Sequence, residues 1–199
     1  MIYGTHNSAT GGSLVWWLRP FGWLINLVSR CQSRTIEEQL KDGVRLFNLQ
    51  VTKYNGEWVF SHGTAIYKEE LIETLALMRC YASPQKPIYF QLFLDDNWFT
   101  GQPCEDFREL VRDLAAEYNG REGLTFLYAW IEGSEEYPYK SGVKLNYEER
   151  YWTFEGVKKK ARSMLDYLPL PKRHARKYNA EYKKNCKKDF LMLDFYELD

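Results

Sequence analysis

The chain has 199 residues, with 27 Lys and Arg balanced by 27 Asp and Glu, and 45% of its residues are hydrophobic. These values are typical of one globular domain, which we expect to span residues 1–199, and they exclude disordered and collagen-like chains. A formal net charge of zero provides no overall attraction to nucleic acid or to an anionic membrane. The charge is unevenly distributed, however, because residues 158–188 contain 12 Lys and Arg against Asp166 and Glu181.

The cysteines and the N-terminus indicate a reducing compartment. The four cysteines are widely spaced, without a CxxC pair or a metal-ligand spacing, so we expect free thiols. The N-terminal residues 1–8 lack the basic and apolar regions of a signal peptide. The most apolar stretch, 14–28, is too short and too interrupted to span a bilayer. We therefore expect a protein that is cytoplasmic or released without a signal peptide.

The first predicted element is a short apolar strand, Met1–Tyr3, which continues into polar residues up to Ser8. Thr35 followed by Glu38 is the pattern of a capping box and predicts a helix that stops near Gly43.

A β-hairpin is predicted next. Val44–Thr52 alternates between apolar and polar residues, as a strand does. Asn55 and Gly56 favour a two-residue turn, and Glu57–Phe60 supplies the second strand.

The remaining chain alternates between helical and extended patterns. Apolar residues at helical spacing and apolar runs together predict helices at 69–80 and 105–118 and strands at 87–94, 124–131 and 190–196. The Tyr-rich stretch 134–157 is predicted to be a loop. The basic segment 158–188 predicts two helices, split by the prolines at 169–171.

Strands that alternate with helices indicate an α/β fold with a mainly parallel sheet. Three of the predicted strands end in polar pairs, at residues 6–7, 61–62 and 95–96. Functional residues of (β/α) barrels gather at the carboxyl ends of the strands, and a regular barrel needs about 250 residues. We therefore predict an irregular, compact TIM-type barrel.

Two of the three histidines, His6 and His62, each follow a predicted strand and lie near a glycine. Facing each other across a barrel mouth, they could act as base and acid, because the ordinary histidine pKa of about 6.5 suits both roles. Spacing alone does not distinguish this pair from two unrelated histidines.

The sequence around both histidines resembles the X-domain of phosphatidylinositol-specific phospholipase C, in its bacterial and phage-type form. The similar stretches are residues 4–10, 31–33, 36–40, 43–50, 58–63 and, at the last barrel strand, 191–195.

The resemblance implies a (β/α) barrel and a phosphodiesterase reaction. In such enzymes the inositol 2-hydroxyl attacks the phosphorus and expels diacylglycerol, which gives a cyclic phosphodiester. His6 matches the general base, His62 the general acid, and Asp194 the carboxylate that orients His6. Each proton transfer contributes roughly 10²–10⁴-fold to the rate.

Departures from the family pattern affect the phosphate site. Bacterial relatives usually have Asp at the position of Asn7, and Phe-Asp-Ile-Arg where this chain has Phe47-Asn48-Leu49-Gln50. The arginine that neutralises the phosphate is therefore absent at Gln50. Losing one such donor typically costs about 10²–10³-fold, which implies a slow enzyme. Animal-type relatives hold calcium at the positions of Asn7, Asn48 and Gln50, but neutral amides are poor ligands for a hard dication. We expect no calcium and no other cofactor.

Further candidates for substrate binding follow from their places on the strands. Gln91 would face the barrel interior, and Tyr128 and Trp130 share one strand face, where they could stack on a sugar ring. Core packing is the competing interpretation for each of them.

The partners we expect are a phosphodiester or lipid headgroup and, through Trp16, Trp17 and Trp23, the surface of a membrane. Burial of these three side chains against the barrel is the alternative. The basic segment 158–188 is most often a solvated helix face, and nucleic acid is not an expected partner.

Two other functions are compatible with the same residues. The first is a catalytically weakened barrel that serves as a binding or assembly module in a larger particle, which the amides at Asn7, Asn48 and Gln50 would favour. The second is a metal-dependent glycerophosphodiesterase, but that family requires a Glu-x-Asp metal pair where this chain has Asn48-Leu49-Gln50.

Overall fold

The computed structural model of the protein describes residues 1–135, 137–153 and 171–198. The strands of this part of the chain are β1 (Ile2–Thr5), β2 (Leu46–Tyr54), β3 (Glu57–His62), β4 (Ala65–Glu70), β5 (Ile88–Leu94), β6 (Leu124–Ile131), β7 (Tyr139–Lys140), β8 (Tyr147–Arg150) and β9 (Phe190–Leu193). Its α-helices are α1 (Gly22–Ser29), α2 (Ile36–Lys41), α3 (Leu71–Tyr81), α4 (Cys104–Glu117) and α5 (Pro171–Asn185). Short 3-10 helices cover Ser8–Gly11 and Arg19–Phe21.

Strands β6, β5, β2, β1, β9 and β8 lie side by side in that order, and every neighbouring pair is parallel. Strand β7 is antiparallel to β6 at one end of the sheet. The last residues of β2, from Val51 to Tyr54, continue beyond the parallel array and pair with β3. Strand β3 in turn pairs with β4, and both pairings are antiparallel.

The sheet curls into a barrel whose interior is filled by side chains. Leu46, Phe190 and Met192 pack there with tyrosines from β5, β6 and β8. Tyr128 on β6 and Tyr147 on β8 pack against this same cluster, although four strands separate β6 from β8 in the sheet. The two ends of the parallel array thus meet through side chains, and the irregular, compact TIM-type barrel predicted from the sequence is confirmed.

The opposite face of the sheet carries the larger apolar core. Along β2, Phe47, Leu49 and Val51 alternate with the residues that face the barrel interior, which we call the lumen. These three side chains are fully buried and pack with the apolar faces of the helices. At about 25 cal/mol per Å² of apolar surface, burial of this kind is the main stabilising contribution to the fold. The sheet therefore holds the residues that face the lumen on a rigid frame.

Several local predictions are confirmed. Thr35 and Glu38 form a capping box at the start of α2. Asn55 and Gly56, both with positive φ, make the turn of the β2–β3 hairpin. In addition to these predicted features, Lys53 of β2 points away from the barrel interior and pairs with Asp106 on α4.

Three strands lie where none was predicted. The predicted helix 69–80 begins later, at Leu71, because the chain reverses at Gly63 and residues 65–70 form β4 against β3. Part of the predicted loop 134–157 forms the short strands β7 and β8, and β8 adds to the parallel sheet beside β9. Residues 136 and 154–157 of that stretch lie outside the described residues.

The basic segment is described from residue 171 onward, where it forms α5. Ala175 and Asn179 are buried against β9, and the remaining helix surface carries the lysines and arginines. The first of its two predicted helices lies outside the described residues. Among the residues that the structure describes, none of the helices has the length and apolar character needed to cross a membrane.

Candidate active site

The carboxyl ends of β1 and β9 bring His6 and Asp194 together. Nδ1 of His6 lies 2.9 Å from Oδ1 of Asp194. Because a carboxylate only accepts hydrogen bonds, Nδ1 carries the proton and the lone pair of the neutral ring is on Nε2. The main-chain N–H of Trp152 donates to the second oxygen, Oδ2, at 3.1 Å, so both oxygens of this buried carboxylate have partners. This arrangement fixes the tautomer of His6 in the form that a general base requires.

Buried polar side chains hold these strand ends in place. Nε2 of Gln32 donates to the main-chain oxygens of His6 and Leu193, both at 2.9 Å, and so joins β1 to β9. Nδ2 of Asn179, on α5, donates to the main-chain oxygens of Asp194 and Phe195. Unpaired main-chain groups in a buried place cost free energy, and these amides satisfy them. The His6–Asp194 pair therefore rests on a fixed frame.

His62 lies at the end of β3 and faces His6. The two rings are 6.5 Å apart between centroids and nearly perpendicular, at 82°. Nδ1 of His62 donates to the main-chain oxygen of Ser29 at 2.7 Å, which leaves the lone pair of the neutral ring on Nε2. Burial lowers the pKa of His62, and His6 lowers it further, while Asp194 and the carbonyl of Ser29 act in the opposite direction. A phosphodiester anion bound beside this ring would favour its protonated form.

Cys31, a residue that the sequence analysis did not assign to the site, lies between these groups. Its Sγ is 4.0 Å from Nδ1 of His62 and 3.8 Å from Nδ2 of Asn7. Burial raises the pKa of this thiol well above its ordinary value, and the negative charge of Asp194 adds to the effect. The donor atoms of His6, Cys31 and Asp194 all lie within 4.8 Å of one another, which is a spacing that could hold a metal ion.

Tyr151 covers one face of His6. The two rings are parallel within 3°, with centroids 3.8 Å apart. The hydroxyl of Tyr151 donates to Oε2 of Glu149 at 2.9 Å, which holds the ring in this position. The stack restricts the imidazole to one plane and closes one of its two faces.

The amides expected to face the substrate are engaged with protein groups. Oδ1 of Asn48 accepts from the main-chain N–H of Asn7, whose positive φ marks a sharp bend after His6. Nδ2 of Asn48 donates to Oε1 of Gln91 at 3.3 Å. Asn48 therefore links the loop after β1 to β5, and Gln91 faces the lumen as predicted, fully buried.

Gln50 contacts two carboxylates at the rim of the barrel. Its Nε2 donates to Oδ1 of Asp95 at 2.9 Å and to Oε2 of Glu132 at 3.0 Å. Burial, reinforced by nearby Glu132, raises the pKa of Asp95 to about 7, while the nearby hydroxyl of Ser61 and the main-chain N–H of Gly63 oppose the shift. In place of the arginine of the bacterial pattern, this chain thus has an amide beside a carboxyl pair.

Aromatic side chains line the lumen near this rim. Tyr128 and Trp130 lie on the same face of β6, as predicted, and Phe93 of β5 contacts both rings edge to face. Burial raises the pKa of the Tyr128 hydroxyl, and Nε1 of Trp130 donates to the main-chain oxygen of Ser134. Tyr128 and Trp130 both pack against Phe93, so this part of the lumen wall is aromatic.

Cations do not contact the histidine pair within the described ranges. Among residues 1–135, 137–153 and 171–198, the polar partners of His6, His62 and Asp194 are side-chain and main-chain groups without a Lys or Arg. Residues 158–170 of the basic segment lie outside the described residues.

An exposed apolar surface borders the site. We call it the α1 surface, and it consists of Trp16, Phe21, Trp23, Leu24, Leu27 and Val28. The indole rings of Trp16 and Trp23 are among the most exposed, with 77% and 75% of their residue surface accessible. Ser29, the last residue of α1, is the hydrogen-bond partner of His62, so this surface lies beside His62.

Trp17 differs from the other two predicted contact residues. Its ring packs edge to face on Phe99, with centroids 5.0 Å apart, and its Nε1 donates to the hydroxyl of Tyr54. Trp17 is thus a packing residue. Tyr151 was not identified from the sequence, because the four residues of β8 that precede it, Tyr147–Arg150, do not alternate between apolar and polar types.

Comparisons with known proteins find similar solved structures but no matching sequence family. No protein-family model and no curated protein sequence matches the chain. A variant of the phosphatidylinositol-specific phospholipase C from Staphylococcus aureus is 17% identical over 98% of this chain and 84% of that chain, with a TM-score of 0.59. The Listeria monocytogenes enzyme of the same name is 14% identical over 98% of this chain and 87% of that one, with a TM-score of 0.56. The chain therefore has the fold of the bacterial phosphatidylinositol-specific phospholipases C.

Proposed function

We propose that the protein cleaves a phosphodiester of the phosphatidylinositol type by general base and general acid catalysis. The observation that carries this proposal is the His6–Asp194 pair facing His62 at the mouth of a barrel similar to the phospholipases C. Each histidine has its Nδ1 bonded to a fixed acceptor, so the nitrogen left for proton transfer is Nε2 in both rings, whose centroids are 6.5 Å apart.

In the proposed reaction, Nε2 of His6 takes the proton from the inositol 2-hydroxyl, which attacks the adjacent phosphorus. Asp194 stabilises the imidazolium that forms. The protonated Nε2 of His62 gives its proton to the glycerol oxygen as the bond from phosphorus to this oxygen breaks. The products are diacylglycerol and a cyclic inositol phosphodiester. Because the nucleophile belongs to the substrate, orientation supplies much of the rate, and the protein needs mainly proton transfer.

The reaction is proposed to need no metal. The amides at positions 7, 48 and 50 are hydrogen-bonded to protein groups, and neutral amides bind calcium weakly. Negative charge that develops on the phosphate is stabilised less than with an arginine present, so we expect turnover about 10²–10³-fold below that of an arginine-containing enzyme.

A lipid substrate also requires contact with its membrane. The α1 surface provides exposed tryptophans next to His62, and tryptophan favours the membrane interface. One of the similar Staphylococcus aureus structures concerns the membrane binding of that phospholipase. We propose that the α1 surface lies on the bilayer, with Trp16 and Trp23 as its main contacts.

The test is release of cyclic inositol phosphate from vesicles that contain phosphatidylinositol, followed by ³¹P NMR in the presence of EDTA. The wild type is expected to form the product, and His6→Ala and His62→Ala are each expected to lose at least about 10²-fold in rate.

His174→Ala is the matched control, since His174 is on α5 and contacts Tyr178 and Tyr182. Retained activity in His6→Ala would sink the mechanism. A wild type without turnover on phosphatidylinositol or related phosphodiesters would point to the alternative of a binding or assembly module.

A further inference from the structure

Three side chains that can bind a metal, a histidine, a cysteine and an aspartate, converge at the histidine pair, and one of them is a member of that pair. They are His6 from the end of β1, Cys31 from the loop between α1 and α2, and Asp194 from the end of β9. A ring nitrogen of His6, Sγ of Cys31 and a carboxylate oxygen of Asp194 lie within 4.8 Å of one another. Nδ1 of His6 and Oδ1 of Asp194 are themselves 2.9 Å apart. In the part of the chain that the structure describes, these residues are the one group of three or more such side chains at this spacing.

The surrounding hydrogen bonds fix these donors before any ion arrives. The main-chain N–H of Cys31 donates to Oγ1 of Thr10 at 2.9 Å, and its main-chain oxygen accepts from Phe195 at 2.7 Å. The second oxygen of Asp194 accepts from the N–H of Trp152. Partners of this kind orient metal ligands and raise affinity. Cys31 and Asp194 are buried, whereas the His6 side chain is 18% exposed, so an ion would reach the cluster from the active-site mouth.

The donor set selects the ion. A thiolate, an imidazole and a carboxylate suit Zn²⁺, which binds four ligands at about 2.0–2.3 Å and often leaves one position for water. Calcium and magnesium prefer oxygen ligands only. Thiolate ligands also favour Cd²⁺, which can therefore serve as a spectroscopic probe of the same site.

We propose that His6, Cys31 and Asp194 form a zinc site that switches the catalytic pair off. The regulatory part of this proposal rests on the proposed function. On binding, the thiol proton leaves to solvent, and the Nδ1 proton of His6 moves to Nε2. The ring then has no lone pair on Nε2, and Asp194 is bound to the ion. Zinc binding and base catalysis by His6 therefore exclude each other.

Binding is tested on the full chain without any substrate. Cd²⁺ titration should give the ultraviolet thiolate-to-metal absorption of one cysteine, and zinc calorimetry should give one tight site. Cys31→Ser should abolish that absorption and weaken zinc binding by more than about 10-fold. Loss of a group that only hydrogen-bonds to a metal ligand already lowers metal affinity by about 10–100-fold, and Cys31 would be a ligand itself. Cys80→Ser is the matched control, because Cys80 is an exposed thiol on α3 and is not part of the cluster.

Equal metal binding by Cys31→Ser and the wild type would overturn the site, as would loss of the signal in Cys80→Ser. If Cys31→Ser does not fold, as judged by circular dichroism, His6→Ala replaces it and should weaken zinc binding by the same criterion. A wild type that binds zinc but cleaves no phosphodiester would refute the proposed function and leave the site standing. An active wild type that binds zinc at Cys31 without inhibition would refute the switch.

Discussion

Nδ1 of His6 lies 2.9 Å from Oδ1 of Asp194, although 188 positions separate the two residues in the chain. The contact arises because β1 and β9 are parallel neighbours, with Thr5 opposite Leu193, so that the next residue of each strand emerges at the same end. The sheet register therefore places the carboxylate where it can hold one tautomer of the base.

Replacing Asp194 with Asn is expected to lower kcat by about 10³–10⁴-fold, because an amide can stabilise the wrong tautomer of His6 and cannot stabilise the imidazolium. The measurement is the initial rate of cyclic phosphate formation at saturating lipid, with circular dichroism to confirm folding. Asp96→Asn is the control, since Asp96 is an exposed carboxylate that follows β5, and its substitution makes the same chemical change away from His6. A variant Asp194→Asn with more than a tenth of the wild-type kcat would contradict this role.

Gln50 is the position where a positive charge should increase activity. Its Nε2 already lies beside Asp95 and Glu132, so an arginine there would be held by the two carboxylates and would extend positive charge toward the phosphate. We expect Gln50→Arg to raise kcat by about 10-fold, less than the usual effect of one charged donor because the carboxylates neutralise part of its charge. Gln50→Met, which has similar length and no charge, should give no increase. Equal rates for the two variants would show that charge at this position does not limit turnover.

The sequence predicted the parts of the fold that depend on local patterns. The capping box at Thr35, the turn at Asn55 and the apolar runs of β5 and β6 each have a signal within a few residues. Strand β8 has no such signal, because its pairing with β9 depends on a partner 43 positions away, as for Tyr147 and Phe190.

The candidate site shows the same division. His6, His62 and Asp194 could be identified from their surroundings in the sequence, whereas Cys31 could not. Its approach to His62 depends on the path of the loop after α1, which is fixed by long-range bonds to Thr10 and Phe195. Likewise, the carboxylates that bind Gln50 come from two other strands, and only the folded sheet brings Asp95 and Glu132 together.

The α1 surface should control vesicle binding. We expect Trp16→Ala and Trp23→Ala each to weaken partitioning onto phosphatidylinositol vesicles by about 10-fold, since burial of a large apolar side chain contributes about 1.5–3 kcal/mol. Sedimentation of sucrose-loaded vesicles measures this binding. Ile72→Ala is the control, because Ile72 is 53% exposed on α3 and lies outside the α1 surface. Tryptophan variants that bind vesicles as well as the wild type would rule out this contact, whatever their activity.

Asp95 makes the stability of the fold depend on pH in a direction that can be worked out. Burial raises its pKa from the ordinary value of 3.8 to about 7 in the folded protein. Between these values the folded state holds a proton that the unfolded state has released. Stability from this group is therefore complete below pH 3.8 and is lost as the pH rises through about 7. At about 1.4 kcal/mol per pKa unit, the loss is on the order of 4 kcal/mol, spread over Asp95 and the groups coupled to it.

The amide of Asp95→Asn keeps an acceptor oxygen for Gln50 and for the N–H of Gly63, but it cannot ionise. The free energy of unfolding of Asp95→Asn, measured with urea between pH 5 and pH 8, should therefore fall less with rising pH than that of the wild type. Relative to the wild type, the variant should be more stable at pH 8 than at pH 5. Asp96→Asn, at the neighbouring exposed position, should follow the wild-type curve. Parallel curves for Asp95→Asn and the wild type would mean that the carboxyl group of Asp95 is already ionised in the folded protein at pH 5, contrary to its burial beside Glu132.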